Sequence, residues 1–169
     1  HGGGYDWQKN EKLNRKKGYT THLIRDDAIR IIENHDDQSS IFLNINCGAP
    51  HTPNEAPQVS IDKFKSIESE NRRIHAAMVH EMDDAIGQII NALKDKNILN
   101  NTIIFFASDN GGLPPNLELD PEILNLPYKL GICDWERPFS FEVFEWLCSN
   151  FDGASSNMPL PKGKMSVSE

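Results

Sequence analysis

The sequence predicts an α/β fold, because two helical patterns alternate with two short apolar runs. Apolar residues recur at helical spacing over 20–34 and over 74–93, and a run rich in β-forming residues follows each stretch, at 41–46 and 102–107. The order α-β-α-β is typical of a sheet whose strands are parallel in this part. We therefore expect a partial central sheet with flanking helices.

The first helix is predicted over 20–34. Thr20 or Thr21 is available to cap its first turn. Asp26 and Asp27 fall in the body of this helix, so we interpret them as a surface pair and not as metal ligands. The apolar residues at helical spacing are Leu23, Ile24, Ala28, Ile31 and Ile32.

The first strand is predicted over 41–46, Ile-Phe-Leu-Asn-Ile-Asn. Gly48 and Pro50 bound this run, so the carboxyl end of the strand delivers His51. Pro50 and Pro53 flank the histidine and limit the freedom of its loop, which suits a positioned imidazole. Taken alone, a loop histidine is more often a hydrogen-bonded surface residue than a catalytic one.

The second helix carries the strongest periodic signal in the chain, and we expect it to end near Asn97. Asp83 and Asp84 lie inside it, with Arg72 and Arg73 upstream as expected ion-pair partners, and we expect no catalytic role for the two acids. The apolar residues at helical spacing are Ile74, Ala77, Met78, Met82, Ala85, Ile86, Ile89 and Leu93.

The second strand, 102–107, is apolar without alternation, as expected for a strand covered on both faces. It ends in Ser-Asp-Asn-Gly-Gly, residues 108–112, which puts Asp109 and Asn110 at the carboxyl edge of the sheet, where ligand sites form. Their oxygens suit a hard cation, although calcium takes about six to eight oxygen ligands. The alternative is an Asx turn with a glycine-rich exit.

The composition indicates one soluble globular domain or most of one, with 169 residues, 38% of them hydrophobic and 25% charged. The net charge of −8 argues against a nucleic-acid partner. No run approaches the roughly 18–20 apolar residues of a membrane span, and the first residues lack the basic and apolar regions of a signal peptide. A start without Met suggests a fragment, and the oligomeric state is not predicted.

Four segments in this order resemble the type I sulfatases, the hydrolases that use a formylglycine nucleophile. They are 49–53, Ala-Pro-His-Thr-Pro; 72–87, from Arg-Arg-Ile-His to Asp-Asp-Ala-Ile-Gly; 108–112; and 153–164, Gly-Ala-Ser-Ser-Asn-Met-Pro-Leu-Pro-Lys-Gly-Lys. The resemblance implies an alkaline-phosphatase-like fold and the hydrolysis of an organic sulfate ester, either aryl or carbohydrate. It also implies a secreted, lysosomal or periplasmic protein.

The resemblance divides the chain into three parts. We expect part of a sulfatase catalytic domain over 1–112, continued over 153–169. Residues 113–152 lack the resemblance, and we expect them to be either an insertion or a gene-model artefact.

Site residues follow from the resemblance. It implies Asp109 and Asn110 as calcium ligands and His51 as a sulfate contact that donates a proton to the leaving oxygen. Lys164 aligns with a lysine that binds the sulfate, although Pro161 and Lys162 depart from the Arg-Gly of the family. A solvated lysine, or a shifted register that uses Lys162, remains the alternative.

The family takes its nucleophile from a Cys-x-Pro-x-Arg motif and further calcium ligands from an Asp pair, and neither is present. Cys133 has an arginine four residues on but Trp135 in place of the proline, while Cys47 and Cys148 have no such arginine. We therefore expect this chain to lack its nucleophile and to be inactive by itself.

Two other functions compete with the sulfatase interpretation. A phosphodiesterase or phosphonate hydrolase of the same superfamily would favour zinc or manganese with additional Asp and His ligands, and no His ligand adjoins Asp109 and Asn110. A degenerate paralogue would bind sulfated glycans without turnover or have no function. The upstream coding sequence distinguishes these alternatives. Cys-x-Pro-x-Arg there indicates a sulfatase, Thr or Ser with more metal ligands indicates phosphoryl transfer, and neither indicates a degenerate paralogue.

Overall fold

The computed structural model describes residues 7–36, 38–51 and 54–112. The described residues fall into two compact units. The first consists of the described residues within 1–48 and 82–102, and the second of the described residues within 49–81 and 103–112.

The first unit begins with a hairpin that the sequence did not lead us to expect. Strands β1 (Gln8–Lys9) and β2 (Lys12–Leu13) pair antiparallel, with Gln8 opposite Leu13 and Lys9 opposite Lys12. One further bond, from the Asn14 amide to the Trp7 carbonyl at 2.7 Å, extends the pairing beyond the strands. All four strand residues are exposed.

Helix α1 (Thr20–Glu33) confirms the first predicted helix. Its N-cap residue is Tyr19 in an extended conformation, and no side chain caps the first turn, so the predicted cap from Thr20 or Thr21 is wrong. Thr21 is buried, and the apolar face buries Leu23, Ala28 and Ile32. At the other end, the Asn34 side-chain amide donates to the Arg30 carbonyl at 2.7 Å.

Helix α3 (Glu70–Asp95) confirms the second predicted helix, and a short helix α2 (Gln58–Ile61) precedes it. The C-terminus of α3 is closed by Asn97, whose φ is 62°. The Asn97 amide donates to the Lys94 carbonyl at 2.8 Å, and the Ile98 amide donates to the Leu93 carbonyl at 3.0 Å. This pattern is a Schellman motif, and it satisfies carbonyls that the end of the helix leaves without intrahelical partners.

The core of the first unit lies between α1 and the C-terminal part of α3. Ile32, Ala92 and Leu93 form its buried centre. Half-buried apolar residues pack against this centre, namely Ile29, Leu43, Ile89, Ile98 and Leu99. Ile98 therefore contributes both to the Schellman motif and to the packing that commonly accompanies it.

Neither predicted core strand forms a hydrogen-bonded strand in the described residues. Over 41–47 the odd-numbered residues are half-buried and the even-numbered ones are exposed, which is the two-residue burial period of a β-strand. Within the described residues, this segment lacks the inter-strand hydrogen bonds of a strand. Over 103–107 every residue is exposed. The physical reason is the absence of a partner strand for either run within the described residues, because a strand is defined by pairing with another segment.

The second unit contains α2, the 3₁₀ turn Asp62–Phe64 and the N-terminal part of α3. Ser60 in α2 is 1% exposed and its hydroxyl donates to the Glu81 carboxylate, which is 8% exposed. The Arg73 guanidinium donates to the carbonyls of Ile67 and Glu68 at 2.9 and 3.0 Å. Across the described part of the chain, no helix combines the length and apolar character that a membrane crossing requires.

Candidate functional site

His51 follows the extended segment 41–47 and is exposed. The peptide bond between Ala49 and Pro50, two residues before it, is cis. One face of the extended segment is half-buried, with Leu43 packed on the core, so the chain leading to His51 is anchored from one side. The flanking Pro53 lies outside the described residues.

A buried hydrogen bond stabilises the part of the chain that follows His51. Ser60 and Glu81 are both buried, and the bond between them joins α2 to α3. Sequence analysis missed Glu81, yet it could have been found, because Glu81 falls on the apolar face of α3 between Met78 and Ala85. A carboxylate at such a position requires a polar partner.

Asp109 and Asn110 lie on an exposed bend that follows residues 103–107. The Asn110 amide donates to the Asp109 carboxylate at 2.9 Å, and the Ser108 hydroxyl donates to the Asn110 carbonyl at 2.5 Å. These local bonds fold the segment back on itself, as in the turn that sequence analysis kept as the alternative. Among the described residues, these bonds leave the second Asp109 oxygen and the Asn110 side chain without a hydrogen-bond partner.

The described residues contain no group of three or more His, Cys, Asp or Glu side chains that would hold a metal ion. Asp109 and Asn110 are sequence neighbours that provide one carboxylate and one amide oxygen. In type these donors fit a hard cation, and in number they fall short of the roughly six to eight oxygens that calcium takes. Lys164, the predicted sulfate contact, lies outside the described residues.

The acidic pairs that sequence analysis excluded as metal ligands have other contacts. Asp27 accepts from Lys9 at 2.9 Å and from Arg30 at 2.8 Å, and these hydrogen bonds lower the pKa of its carboxyl. Asp26 pairs with Arg25 at 2.7 Å. Both contacts confirm a helix-surface pair.

Asp83 and Asp84 are exposed on α3, and among the ion pairs of the described residues neither pairs with Arg72 or Arg73, so the expected pairing is wrong. Asp84 accepts from the Gln88 side chain at 2.6 Å, one turn along the helix. Arg73 uses its guanidinium on loop carbonyls instead. Contacts at i, i+4 spacing are reached more readily than contacts ten residues away on one helix.

Burial shifts the pKa values of two further titratable side chains. Burial raises the pKa of the half-buried Cys47 thiol, which keeps it protonated and disfavours nucleophilic chemistry there. Burial, and then the positive charge of Arg72, lower the pKa of His75 in α3. His75 is thus held in its neutral form, which requires no counter-ion in a half-buried site.

The geometry of the described residues does not identify a protein family, and comparison with known proteins does. The sequence model of the Sulfatase family matches residues 2–126. The chain is 36% identical over 114 residues to arylsulfatase J of Mus musculus, covering 66% of this chain and 19% of that protein. It is 34% identical over 102 residues to N-acetylgalactosamine-6-sulfatase of Mus musculus, covering 59% of this chain and 18% of that protein.

Among solved structures, the chain resembles Ps i-CgsB. The crystal structure of Ps i-CgsB in complex with k-i-k-neocarrahexaose matches with a TM-score of 0.58 and 33% identity, over 61% of this chain and 23% of that one. A second crystal structure of Ps i-CgsB gives a TM-score of 0.59. This likeness confirms the predicted fold class. The chain spans about a fifth of the length of the curated relatives it matches.

Proposed function

This chain belongs to the sulfatase family, and we propose that it supplies one part of the active site of a sulfuric ester hydrolase acting on aryl or carbohydrate sulfates. The observation that carries the proposal is the family match over residues 2–126, which includes both the Pro-His-Thr-Pro segment and the Ser-Asp-Asn-Gly-Gly segment. Curated relatives with arylsulfatase and N-acetylgalactosamine-6-sulfatase names support the same reaction class.

His51 is proposed to bind the sulfate group and to protonate the departing oxygen. Its exposed position supports this role, because an imidazole must reach the substrate. A positioned general acid typically contributes about 10²–10⁴-fold to a rate.

Asp109 and Asn110 are proposed as two of the oxygen ligands of a calcium ion. Their support is the oxygen chemistry of both side chains and their exposure on a bend, where further ligands can approach. Bound calcium supplies positive charge that stabilises charge on the sulfate oxygens. The remaining ligands are proposed to come from residues outside this sequence.

Lys164 is proposed to bind the sulfate through its ammonium group. A point charge suits an anion whose charge is shared by several oxygens. The nucleophile is proposed to lie outside these 169 residues, because they contain no Cys-x-Pro-x-Arg motif.

The reaction class is tested in a longer protein that contains this chain and a Cys-x-Pro-x-Arg motif. We expect such a protein to hydrolyse aryl sulfates in the presence of calcium and to leave a matched aryl phosphodiester intact. Faster cleavage of the phosphodiester than of the sulfate would assign the site to phosphoryl transfer instead.

The role of His51 is tested by changing the leaving group. His51→Ala should slow hydrolysis of an unactivated alkyl sulfate far more than that of a nitrophenyl sulfate, because a phenolate of low pKa leaves without a proton. A defect of equal size for both esters would leave His51 as a sulfate contact only.

A further inference from the structure

The hairpin region is strongly basic in an acidic chain. Within residues 8–17 one residue is acidic, Glu11, and half are cationic, so the stretch carries a local charge of +4 while the whole chain carries −8. The cations are Lys9, Lys12, Arg15, Lys16 and Lys17, and all of them are exposed. A local excess of one charge against the sign of the rest of the molecule indicates an interaction surface.

The hairpin keeps two locally unfavourable features. Lys9 lies directly opposite Lys12, and like charges in this position destabilise an antiparallel pair. The turn residues Asn10 and Glu11 have φ values of 49° and 63°, and the left-handed region is unfavourable for Glu. Residues with unfavourable pairings or backbone conformations concentrate at functional positions.

Most of these cations are available to an external anion. Lys9 is held by Asp27 at 2.9 Å, which offsets part of its repulsion with Lys12. Within the part of the chain that the structure describes, Lys12, Arg15, Lys16 and Lys17 form no ion pair, although Arg25, Arg30 and Lys65 do. Four exposed charges therefore lie within six residues, and no carboxylate among the described residues pairs with them.

A cleft of about 210 Å³ adjoins the basic stretch. Trp7, Lys9, Lys16 and Arg30 line it together with the carboxylates of Asp26 and Asp27, and Trp7 is half-buried. Both carboxylates are already paired with cations, Asp27 with Lys9 and Arg30 and Asp26 with Arg25. The hydrogen bond from the Asn14 amide to the Trp7 carbonyl holds the Trp7 backbone next to the hairpin. An indole beside ammonium groups offers a flat apolar face together with positive charge, a combination that suits a sugar ring bearing an anionic substituent.

We propose that residues 7–17 form a docking surface for a sulfated polysaccharide. A polysaccharide that carries sulfate on successive sugars presents several anions along a line, which matches four cations on a short exposed stretch. The choice of sulfated sugar over other polyanions rests on the proposed function, and Ps i-CgsB, which this chain resembles, was crystallised with neocarrahexaose.

The test measures binding of the full chain to heparin, a sulfated polysaccharide, by isothermal calorimetry at several salt concentrations. One triple variant removes surface cations, Lys12→Gln, Arg15→Gln and Lys17→Gln. The control triple Lys65→Gln, Arg72→Gln and Lys94→Gln removes the same number and types of charge from exposed positions elsewhere. Both variants have the same net charge, and circular dichroism checks that helix content is equal.

We expect the hairpin triple to weaken heparin binding at least about tenfold and to reduce the slope of log K against log salt by about three, one for each charge removed. The control triple should change the affinity by less than about twofold. Equal weakening by the two triples, or unchanged binding by the hairpin triple, would overturn the proposal.

The nature of the anion is tested with two further ligands. Chemically desulfated heparin should not bind, and a DNA duplex of equal charge should bind more weakly than heparin. Equal affinity for the duplex would make the surface a nucleic-acid site and overturn the choice of polysaccharide. Because these are binding measurements, they remain informative whether or not a longer protein cleaves sulfate esters, so the two proposals can fail separately.

Discussion

Ile32 in α1 is 1% exposed, whereas Phe105 in the segment before Asp109 is 90% exposed, although the sequence predicts that both are covered. The helices bury their apolar faces on each other within this chain, around Ile32 and Leu93. Segment 103–107 finds no such cover among the described residues. Within the described residues, the helices of the first unit therefore cover their own apolar faces, whereas the segment that leads to the candidate calcium ligands stays exposed.

The largest expected effect concerns activity. The 169-residue chain alone should show no hydrolysis of a fluorogenic aryl sulfate above a blank, with or without calcium, because covalent catalysis requires the nucleophile. The positive control is a longer protein with a Cys-x-Pro-x-Arg motif in which formylglycine has been generated. Turnover by the rigorously purified chain would show that a complete site exists where we infer a partial one.

The second largest effect is a difference in kcat between a change at the candidate calcium site and a change on α3, both made in that longer protein. Asp109→Ala should remove a calcium ligand and cost several kcal/mol of transition-state stabilisation, roughly a hundredfold or more in kcat. Asp83→Ala, an exposed acid on α3, serves as the matched control and should leave kcat unchanged. Calcium titration of both variants supplies a second measurement, and equal losses at equal folded fraction would mean that the metal site is misplaced.

Stability tests the comparison directly in the 169-residue chain. Ile32→Ala should lower the free energy of unfolding by about 2–5 kcal/mol, because it opens a cavity in the packed core. Phe105→Ala, at a 90% exposed position, should change it by less than about 0.5 kcal/mol. Urea denaturation followed by circular dichroism measures both, and a large loss for Phe105→Ala would show that the segment is covered in solution.

The smallest expected effect is a pH dependence that arises in α3. Burial and Arg72 lower the pKa of His75 in the folded state, so the unfolded chain binds the proton more readily. The stability from neutral His75 is present above the unfolded pKa of about 6.5 and is lost as pH falls from there through the lowered folded value. His75→Gln should flatten the fall in Tm between pH 7 and pH 5, and an unchanged slope would remove His75 as its source.

Both helices could be predicted from the sequence to within a few residues. Their signal is local, since apolar residues at i, i+3 and i+4 define a buried face without reference to the rest of the chain. Asn97 at the end of α3 was also predictable, because asparagine tolerates the left-handed conformation that a Schellman motif needs. The predicted cap from Thr20 or Thr21 is wrong because the residue types at a helix start do not determine which side chain accepts a hydrogen bond from the amides of the first turn.

Strands were harder for a physical reason. Residues 41–47, which include the predicted strand 41–46, have the two-residue burial period of a strand, yet the hydrogen bonds of a strand come from a second segment that local sequence does not identify. The hairpin was missed for the opposite reason. Its turn is Asn10-Glu11, and the usual signal for such a turn is Asn-Gly.

The sequence predicts the donor types of the candidate calcium site and also that these two residues do not complete it, and the site itself stays a prediction. Asp109 and Asn110 occupy an exposed bend after an apolar segment, and the described residues bring no third acidic or histidine ligand to them. Ligands of one metal ion come from distant parts of a sequence, so a pair of neighbours reveals the chemistry without the full set. Glu81 shows a converse case, because a buried carboxylate can be recognised from its place on an apolar face.

The exposed aromatic side chains have a consequence for how solutions of this chain behave. Phe42 is 95% exposed, and Phe105 and Phe106 are 90% and 75% exposed. Apolar surface of this kind makes separate molecules adhere, and the attraction weakens on cooling because hydration of apolar groups is opposed mainly by entropy near room temperature. The isolated chain should therefore scatter more light as it is warmed from 4 °C, below the temperature at which its helices unfold.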